Sequence, residues 1–213
     1  MSHEAYVRKL DVRGFYPSTN VTDVFLIEKF LNKAKCERWL ERFQEEDKTL
    51  RVDDRFRKND RITIYDEKAA RHILGEIYHD LNGGCVGSLF HEREFYVDGC
   101  NDRFHLYRYS KPGDQFTLHA DQPYIDEERA RISFYTVLIY LNDDYEGGEA
   151  LVGGEHKFKP PAGSALIFPH YILHGAAPLI SGERYTLRTD IMYKSSHIYQ
   201  HGVKNLGRAE VLP

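Results

Sequence analysis

Apolar residues recur at helical spacing in two stretches of the first half of the chain, and they alternate with polar residues through most of the second half. After an apolar run from Val24 to Phe30, the segment Asn32 to Glu46 places Cys36, Trp39, Leu40 and Phe43 on one face. Asn32 stands where a short polar side chain would cap a helix, so an amphipathic helix is expected here. A second helix is expected after Asp66. Its apolar face is Ala70, Ile73, Leu74, Ile77, Tyr78 and Leu81, and Asn82-Gly83-Gly84 ends it. From there the texture changes to short strands, expected over Arg103 to Tyr109, Gln115 to His119, Ser133 to Leu141, Glu149 to Val152, His156 to Lys159, Ser164 to Phe168 and Arg184 to Tyr193. The turn signals Lys111-Pro112-Gly113-Asp114, Asn142-Asp143-Asp144, Gly147-Gly148, Gly153-Gly154 and Pro160-Pro161 separate them. Short strands at near-regular spacing, with helices confined to the N-terminal half, predict a mainly β, α+β architecture. Its expected form is a double-sheet jelly roll with the two helices packed on one sheet.

Strand parity then says where a cavity should lie, because successive side chains point to opposite faces. In the last expected strand Arg184, Thr186, Arg188 and Asp190 share one face, and Tyr185, Leu187 and Ile191 take the other. A polar row of this kind faces water or lines a binding site. The same parity puts His119 and Asp121 on one side, with Ala120 pointing away.

Composition narrows the class. The 213 residues, 41% hydrophobic and 29% charged, suit one domain, with helical support over about 20–85 and the jelly-roll core over about 100–195. Fifteen Tyr and twelve Phe favour half-buried strands over a helical bundle. The start, MSHEAYVRKLDVRGFYPSTN, has no unbroken apolar run, and no later stretch reaches a membrane-spanning length. Cys36, Cys85 and Cys100 are too scattered for a disulfide framework, so a reducing, cytoplasmic location is expected. Net charge is −4. The basic-looking stretch Arg51 to Arg61 is broken by Asp53, Asp54 and Asp60, and reads as a solvated loop, with no nucleic-acid partner expected. The acidic run Asp126 to Glu128 reads as another solvated loop, or as a lid over a site placed by the preceding strand.

The chemistry-bearing residues are His119, Asp121, His174 and Arg184. Two histidines and one carboxylate hold Fe(II) on one face of an octahedron and leave positions open for a co-substrate and dioxygen. With 11 His in the chain, chance alone supplies about one His-x-Asp triplet, so the triplet gains meaning only from its surroundings. Arg184 lies ten positions beyond His174, and its planar guanidinium can hold a carboxylate by two parallel hydrogen bonds. A zinc hydrolase could use the same three ligands, but would have no need of that arginine.

The surroundings resemble the 2-oxoglutarate and Fe(II)-dependent dioxygenases of the prolyl 4-hydroxylase branch. The segment YRYSKPGDQFTLHAD (107–121) is similar to that family's Tyr, Pro-Gly turn, aromatic and His-x-Asp run. VLIYLNDDYEGGEALV (137–152) is similar to its central strand and Gly-Gly-Glu hairpin, and PPAGSALIFPHYILHGAAPLISGERYTLRTDIMY (160–193) to its Pro, Gly, Phe, His, Pro, Gly, Arg run. The resemblance is strong over Arg103 to Tyr193 and loose outside it, where Asn59-Asp60-Arg61 is compatible. It implies a double-stranded β-helix with His119, Asp121 and His174 as iron ligands. Arg184 would clamp the 5-carboxylate of 2-oxoglutarate, with Tyr140 hydrogen-bonded to the same carboxylate and Tyr109 beside the co-substrate. No catalytic residue beyond the metal centre is implied. The implied reaction consumes O2 and 2-oxoglutarate, with ascorbate supporting activity, releases succinate and CO2, and hydroxylates an unactivated C–H. The carboxylate at Asp121 favours hydroxylation over halogenation. The implied acceptor is a prolyl residue of a protein or peptide, with a free amino acid or other small molecule as the second choice. A non-catalytic module that binds metal or 2-oxoglutarate is a third.

Several positions have competing readings. His170 rivals His174 as a ligand, but only His174 is followed by Gly-Ala-Ala-Pro. Tyr140 and Tyr109 could equally be core tyrosines. His197 and His201 have helical spacing without a third ligand. Where the family has Thr and an aromatic after Gly-Gly-Glu, this chain has Ala150, Leu151 and Val152. Asp190 replaces a frequent aromatic, which leaves Arg188 and Asp190 as a substrate-facing pair or an internal ion pair.

Overall fold

A computed structural model describes residues 6–10, 24–45, 49–81, 95–154 and 156–195. It is mostly strand, with two helices in the first half. Helix α1 (Lys33–Glu45) begins as expected, with the Asn32 side-chain oxygen accepting from the Lys35 N–H at 2.9 Å. Helix α2 (Glu67–Asp80) is capped by Asp66, which accepts from the Ala69 N–H at 2.8 Å. Its inward face is Ala70, Ile73 and Ile77, whereas Tyr78, expected on that face, is exposed. The Asn82-Gly83-Gly84 stop, Cys85, His197 and His201 lie outside the described residues.

The main sheet begins with β1 (Tyr6–Leu10) on β2 (Val24–Glu28), and β2 pairs with β13 (Ala165–Pro169). It continues through β9 (Arg131–Tyr140), β16 (Arg184–Ser195), β6 (Arg103–Tyr109) and β4 (Arg57–Tyr65). Strand β4 also pairs with β7 (Gln115–His119), so the sheet curls over into β7, β14 (His174–Ala176), β11 (Ala150–Val152) and β12 (His156–Phe158). Three strands lie off this path: β3 (Leu50–Asp53) on β4, β5 (Phe95–Cys100) on β16, and β8 (Ile125–Asp126) on β9. A short pair, β10 (Glu146–Gly147) and β15 (Leu179–Ser181), stands apart. This is the expected jelly roll.

Parity sorts the apolar side chains into two compartments. Leu187, Ile191, Ile139, Val137, Ile167 and Leu106 face outward and pack with Trp39, Phe43, Ile73 and Ile77 under the helices. Leu26, Tyr140, Leu166, Phe168, Val152 and Ile172 fill the space between the two walls of the roll. Full burial of a side chain of this size contributes about 1.5–3 kcal/mol, so β9 and β13, which feed both compartments, are held from both faces, and β16 is held from the helix side. The cavity described below lies on the inter-wall side.

Two loop expectations are corrected. Arg51 to Arg61 is a β-hairpin, with Arg51 opposite Asp60 and Val52 opposite Asn59. Two of its charges are met by residues from outside it: Arg51 reaches Asp114 at 2.5 Å, and Arg108 reaches Asp60 at 2.7 Å. A dense run of both signs therefore forms ordered strand, because partners from distant segments meet it. Asp126 is also not simply solvated. It lies on β8, and its carboxylate takes a 2.7 Å bond from Arg131, while Glu127 and Glu128 are exposed.

Candidate metal centre and its cavity

Strands β7 and β14 run antiparallel with His119 directly opposite His174. Their close approach depends on Gly175, where a Cβ would stand 2.6 Å from the Phe116 carbonyl oxygen. Asp121 follows β7 at once, its backbone N–H donating to the His170 carbonyl at 2.8 Å. One donor atom from each of His119, Asp121 and His174 lies within 4.8 Å of the others, close enough to share one metal ion.

Hydrogen bonds fix which imidazole atoms are free. His119 Nδ1 is 2.8 Å from the Thr117 carbonyl oxygen, and His174 Nδ1 is 3.0 Å from that of Ile172. A carbonyl only accepts, so Nδ1 carries the proton on both rings and Nε2 keeps its lone pair. Both Nε2 atoms look toward Asp121, at 3.9 Å from Oδ1 for His119 and 3.5 Å from Oδ2 for His174. Burial lowers the pKa of both, that of His174 to about 4, so the rings are neutral at pH 7, the form a metal requires. Burial would raise the Asp121 carboxyl, but Arg188, 3.1 Å away, overcomes it with help from His174 and Thr136. Asp121 is held well below the usual carboxylate range.

His170, the rival ligand, takes a supporting place. Thr136 Oγ1 lies 2.5 Å from Asp121 Oδ2 and 2.9 Å from His170 Nδ1, and Ser133 Oγ lies 2.8 Å from His170 Nε2. An ionised carboxylate only accepts, so the single Thr136 hydroxyl proton goes to Asp121. His170 Nδ1–H must then donate to Thr136, leaving Nε2 to accept from Ser133. The chain Ser133, His170, Thr136, Asp121 thus runs in one direction and orients the carboxylate from behind. Sequence reasoning missed Thr136 and Ser133. Their only sequence signal was position on a strand, Thr136 sharing the inward parity of Leu138 and Tyr140.

The cavity beside these residues has a volume of about 210 Å³, and Tyr109, Arg184, Thr186 and Arg188 are among its walls. Three of the inward row read from β16, Arg184, Thr186 and Arg188, therefore form a cavity wall, while Asp190 is not among the lining residues. Arg188 is an internal ion partner as well, 3.0 Å from Asp190 and 3.1 Å from Asp121. Arg184 is different. It is 2% exposed, has no carboxylate within ion-pair distance among the described residues, and its Nε and Nη1 have no hydrogen-bond partner. Tyrosine rings surround it, with the guanidinium carbon 4.7 Å from the Tyr109 centroid and 5.3 Å from that of Tyr140. The hydroxyls of Tyr140 and Tyr145 are buried and also unpartnered, and so are both side-chain polar atoms of Asn59.

A buried cation with free donors, ringed by free hydroxyls, lacks an anion. The same cavity holds two neutral imidazoles and a carboxylate with converging lone pairs. The donor chemistry fits Fe(II), and the orphaned donors fit an anionic co-substrate reaching away from it.

Residues 104–192 match the 2OG-Fe(II) oxygenase superfamily. That segment holds the three candidate ligands and Arg184. Among curated proteins, a "PKHD-type hydroxylase" of Parvibaculum lavamentivorans is 38% identical over 85 residues, which cover 38% of this chain and 38% of that relative. The aligned part therefore spans well under half of the relative's length. Among solved structures, the viral collagen prolyl hydroxylase of Paramecium Bursaria Chlorella virus-1, in its 2OG complex, is similar with a TM-score of 0.56. It is 18% identical, over 80% of this chain and 96% of that one. The prolyl hydroxylase of Trichoplax adhaerens, in complex with a hypoxia inducible factor oxygen degradation domain peptide fragment, has a TM-score of 0.57. It is 15% identical, over 79% of this chain and 82% of that one. Identity this low speaks for the fold alone, and the fold is that of these 2OG oxygenases. The resemblance expected from the HAD, Gly-Gly-Glu and His-to-Arg motifs is borne out, as is the jelly roll. No helix among the described residues is long and apolar enough to cross a membrane.

Proposed function

We propose that the protein is an Fe(II)- and 2-oxoglutarate-dependent dioxygenase that hydroxylates an unactivated C–H, releasing succinate and CO2. The observation that carries this reading is the buried Arg184, without a counter-ion, in the same cavity as the His119, Asp121 and His174 lone pairs. An isolated charge is costly to bury, and a chain retains one where a ligand of opposite charge completes it. In this reading His119, Asp121 and His174 hold Fe(II), and Arg184 grips the distal carboxylate of 2-oxoglutarate. Tyr140 donates its free hydroxyl to the same carboxylate, and Tyr109 packs beside it. Bound there, the iron supplies the redox chemistry that couples decarboxylation of 2-oxoglutarate to oxygen insertion. The chain supplies the rest: neutral imidazoles fixed by backbone carbonyls, a carboxylate oriented by Thr136, and a wall of tyrosines that keeps water from the Arg184 end.

The acceptor we favour is a prolyl residue of a protein or peptide, by likeness to prolyl hydroxylases and to the hydroxylase name of the aligned relative. Given Fe(II), ascorbate and 2-oxoglutarate, the purified protein is expected to release succinate above background, and His174→Ala is expected to abolish that release. Equal release by both proteins would refute the oxygenase reading. Mass spectrometry for a one-oxygen mass gain across proline peptides and free amino acids identifies the acceptor.

A further inference from the structure

Two more arginines, Arg57 and Arg61, line the same cavity, and both come from β4. They share a face by strand parity, and neither has an ion-pair partner among the described residues. Arg57 is fixed close to the metal ligands. Its guanidinium carbon is 5.2 Å from the centre of the Phe116 ring, and that ring stacks on His119 with centroids 3.7 Å apart. Arg61 stands opposite Tyr107, another wall residue. Asp121 is the one carboxylate among the lining residues.

Charge balance then becomes informative, and it rests on the function proposed above. A divalent ion and Arg184 are balanced by Asp121 and dianionic 2-oxoglutarate. Arg188 is balanced by Asp190, which is buried beside it. Arg57 and Arg61 are left over, two positive charges on the cavity wall without an ion-pair partner among the described residues; the exposed Asp54 of the hairpin turn feels Arg57 but does not form an ion pair with it. Low-dielectric walls strengthen such a field and draw in a ligand of the other sign. Both are arginines, whose planar fork suits a carboxylate better than a point charge does.

We propose that Arg57 and Arg61 form the acceptor subsite, and that they bind a carboxylate of the substrate at the cavity edge nearest His119. The substrate is thus an acid: either a free amino acid held by its own carboxylate, or a peptide with a glutamate or aspartate beside the hydroxylated residue. The peptide arm narrows the prolyl acceptor favoured above to one with an acidic neighbour, and the free-amino-acid arm would replace it.

The test is equilibrium binding to protein loaded with Mn(II) and 2-oxoglutarate, with four probes. These are L-proline, L-prolinamide, a short proline peptide flanked by glutamates, and the same peptide flanked by glutamines. At least one acid is expected to bind about tenfold or more tightly than its amide. Arg57→Gln/Arg61→Gln is expected to erase that ratio, and Arg61→Gln alone to reduce it, with circular dichroism confirming the fold of each. A preference confined to L-proline assigns a free amino acid, and one confined to the peptide pair assigns an acidic peptide. Equal binding of acids and amides, no saturable binding of either acid, or a ratio that survives in the double variant overturns the proposal. Failure of wild-type protein to bind 2-oxoglutarate with Mn(II) is a separate result, and it would count against the oxygenase reading itself.

Discussion

Arg184 and Arg188 are four residues apart on one face of one strand, and both face the same cavity. Arg188 sits between two carboxylates, at 3.0 Å from Asp190 and 3.1 Å from Asp121. Arg184 is more deeply buried and has only tyrosines around it. The same side chain therefore plays opposite roles within one turn of the strand ladder. A cation whose charge is matched inside the protein is part of the framework, and one left unmatched is a place for a ligand. In the local sequence, RYTLRTD, the one difference is Asp190 at the next inward position beyond Arg188. The other partners come from elsewhere in the chain: Asp121 just beyond β7 for Arg188, and Tyr109 of β6 and Tyr140 of β9 for Arg184.

The comparison is open to direct tests. Arg184→Met removes an uncompensated buried charge, so 2-oxoglutarate affinity is expected to fall by about 2–5 kcal/mol. Unfolding stability without 2-oxoglutarate is expected to hold or rise by about 1 kcal/mol. Calorimetric titration and denaturant melts measure the two, and loss of metal binding instead would show that Arg184 is not the clamp. Arg188→Met does the reverse, stranding Asp121 and Asp190 together. It is expected to destabilise the metal-free protein by about 3 kcal/mol in the same melts. An unchanged midpoint would place the two arginines in one class.

Thr136→Val sharpens the picture at Asp121, a candidate ligand. Deleting the hydroxyl that orients Asp121 is expected to weaken Fe(II) or Mn(II) binding by about tenfold or more while the fold survives. An unaltered metal affinity would reduce the Ser133, His170, Thr136 chain to packing. The smallest effect concerns pH. Burial, aided by Arg188, pushes His105 down to about 3, so it is neutral in the folded protein while the unfolded chain takes up a proton near the ordinary value of 6.5. The unfolded state then binds more protons, and the His105 contribution, complete above pH 6.5, is lost as pH falls toward 3. From pH 7 to 5.5 that loss is about 1.3 kcal/mol. His105→Gln should flatten this part of the stability curve, and an identical curve in the variant would assign the slope to other groups.

How much of this was legible beforehand varied with how local the cause was. The helices declared themselves through Asn32, Asp66 and the spacing of Cys36, Trp39, Ile73 and Ile77, since a cap and an apolar stripe act over a single turn. Strands β6 and β7 were read to the residue, because pleat alternation and the Pro112-Gly113 turn are local too. The hairpin of β3 and β4 was not. Its charges look like solvent-facing loop until Asp114 and Arg108, dozens of positions away, arrive to pair with Arg51 and Asp60. Strands β1 and β2 escaped notice because no alternation marks them, and β2 is buried on both faces between β1 and β13.

The sequence by itself determined the inventory: a jelly-roll pattern, two supporting helices, and His119, Asp121, His174 and Arg184 in an order that resembles an iron oxygenase. Periodicity, turns and motif spacing suffice for that, because each is written in neighbouring residues. The tertiary structure alone decided the assignments. It set His170 behind Asp121 through Thr136, paired Arg188 with Asp190, left Arg184 without a counter-ion, and brought Arg57 and Arg61 from the misread hairpin into the cavity. Such distinctions depend on which charges meet in a low-dielectric interior, and that is settled by strand pairing between residues far apart in the chain.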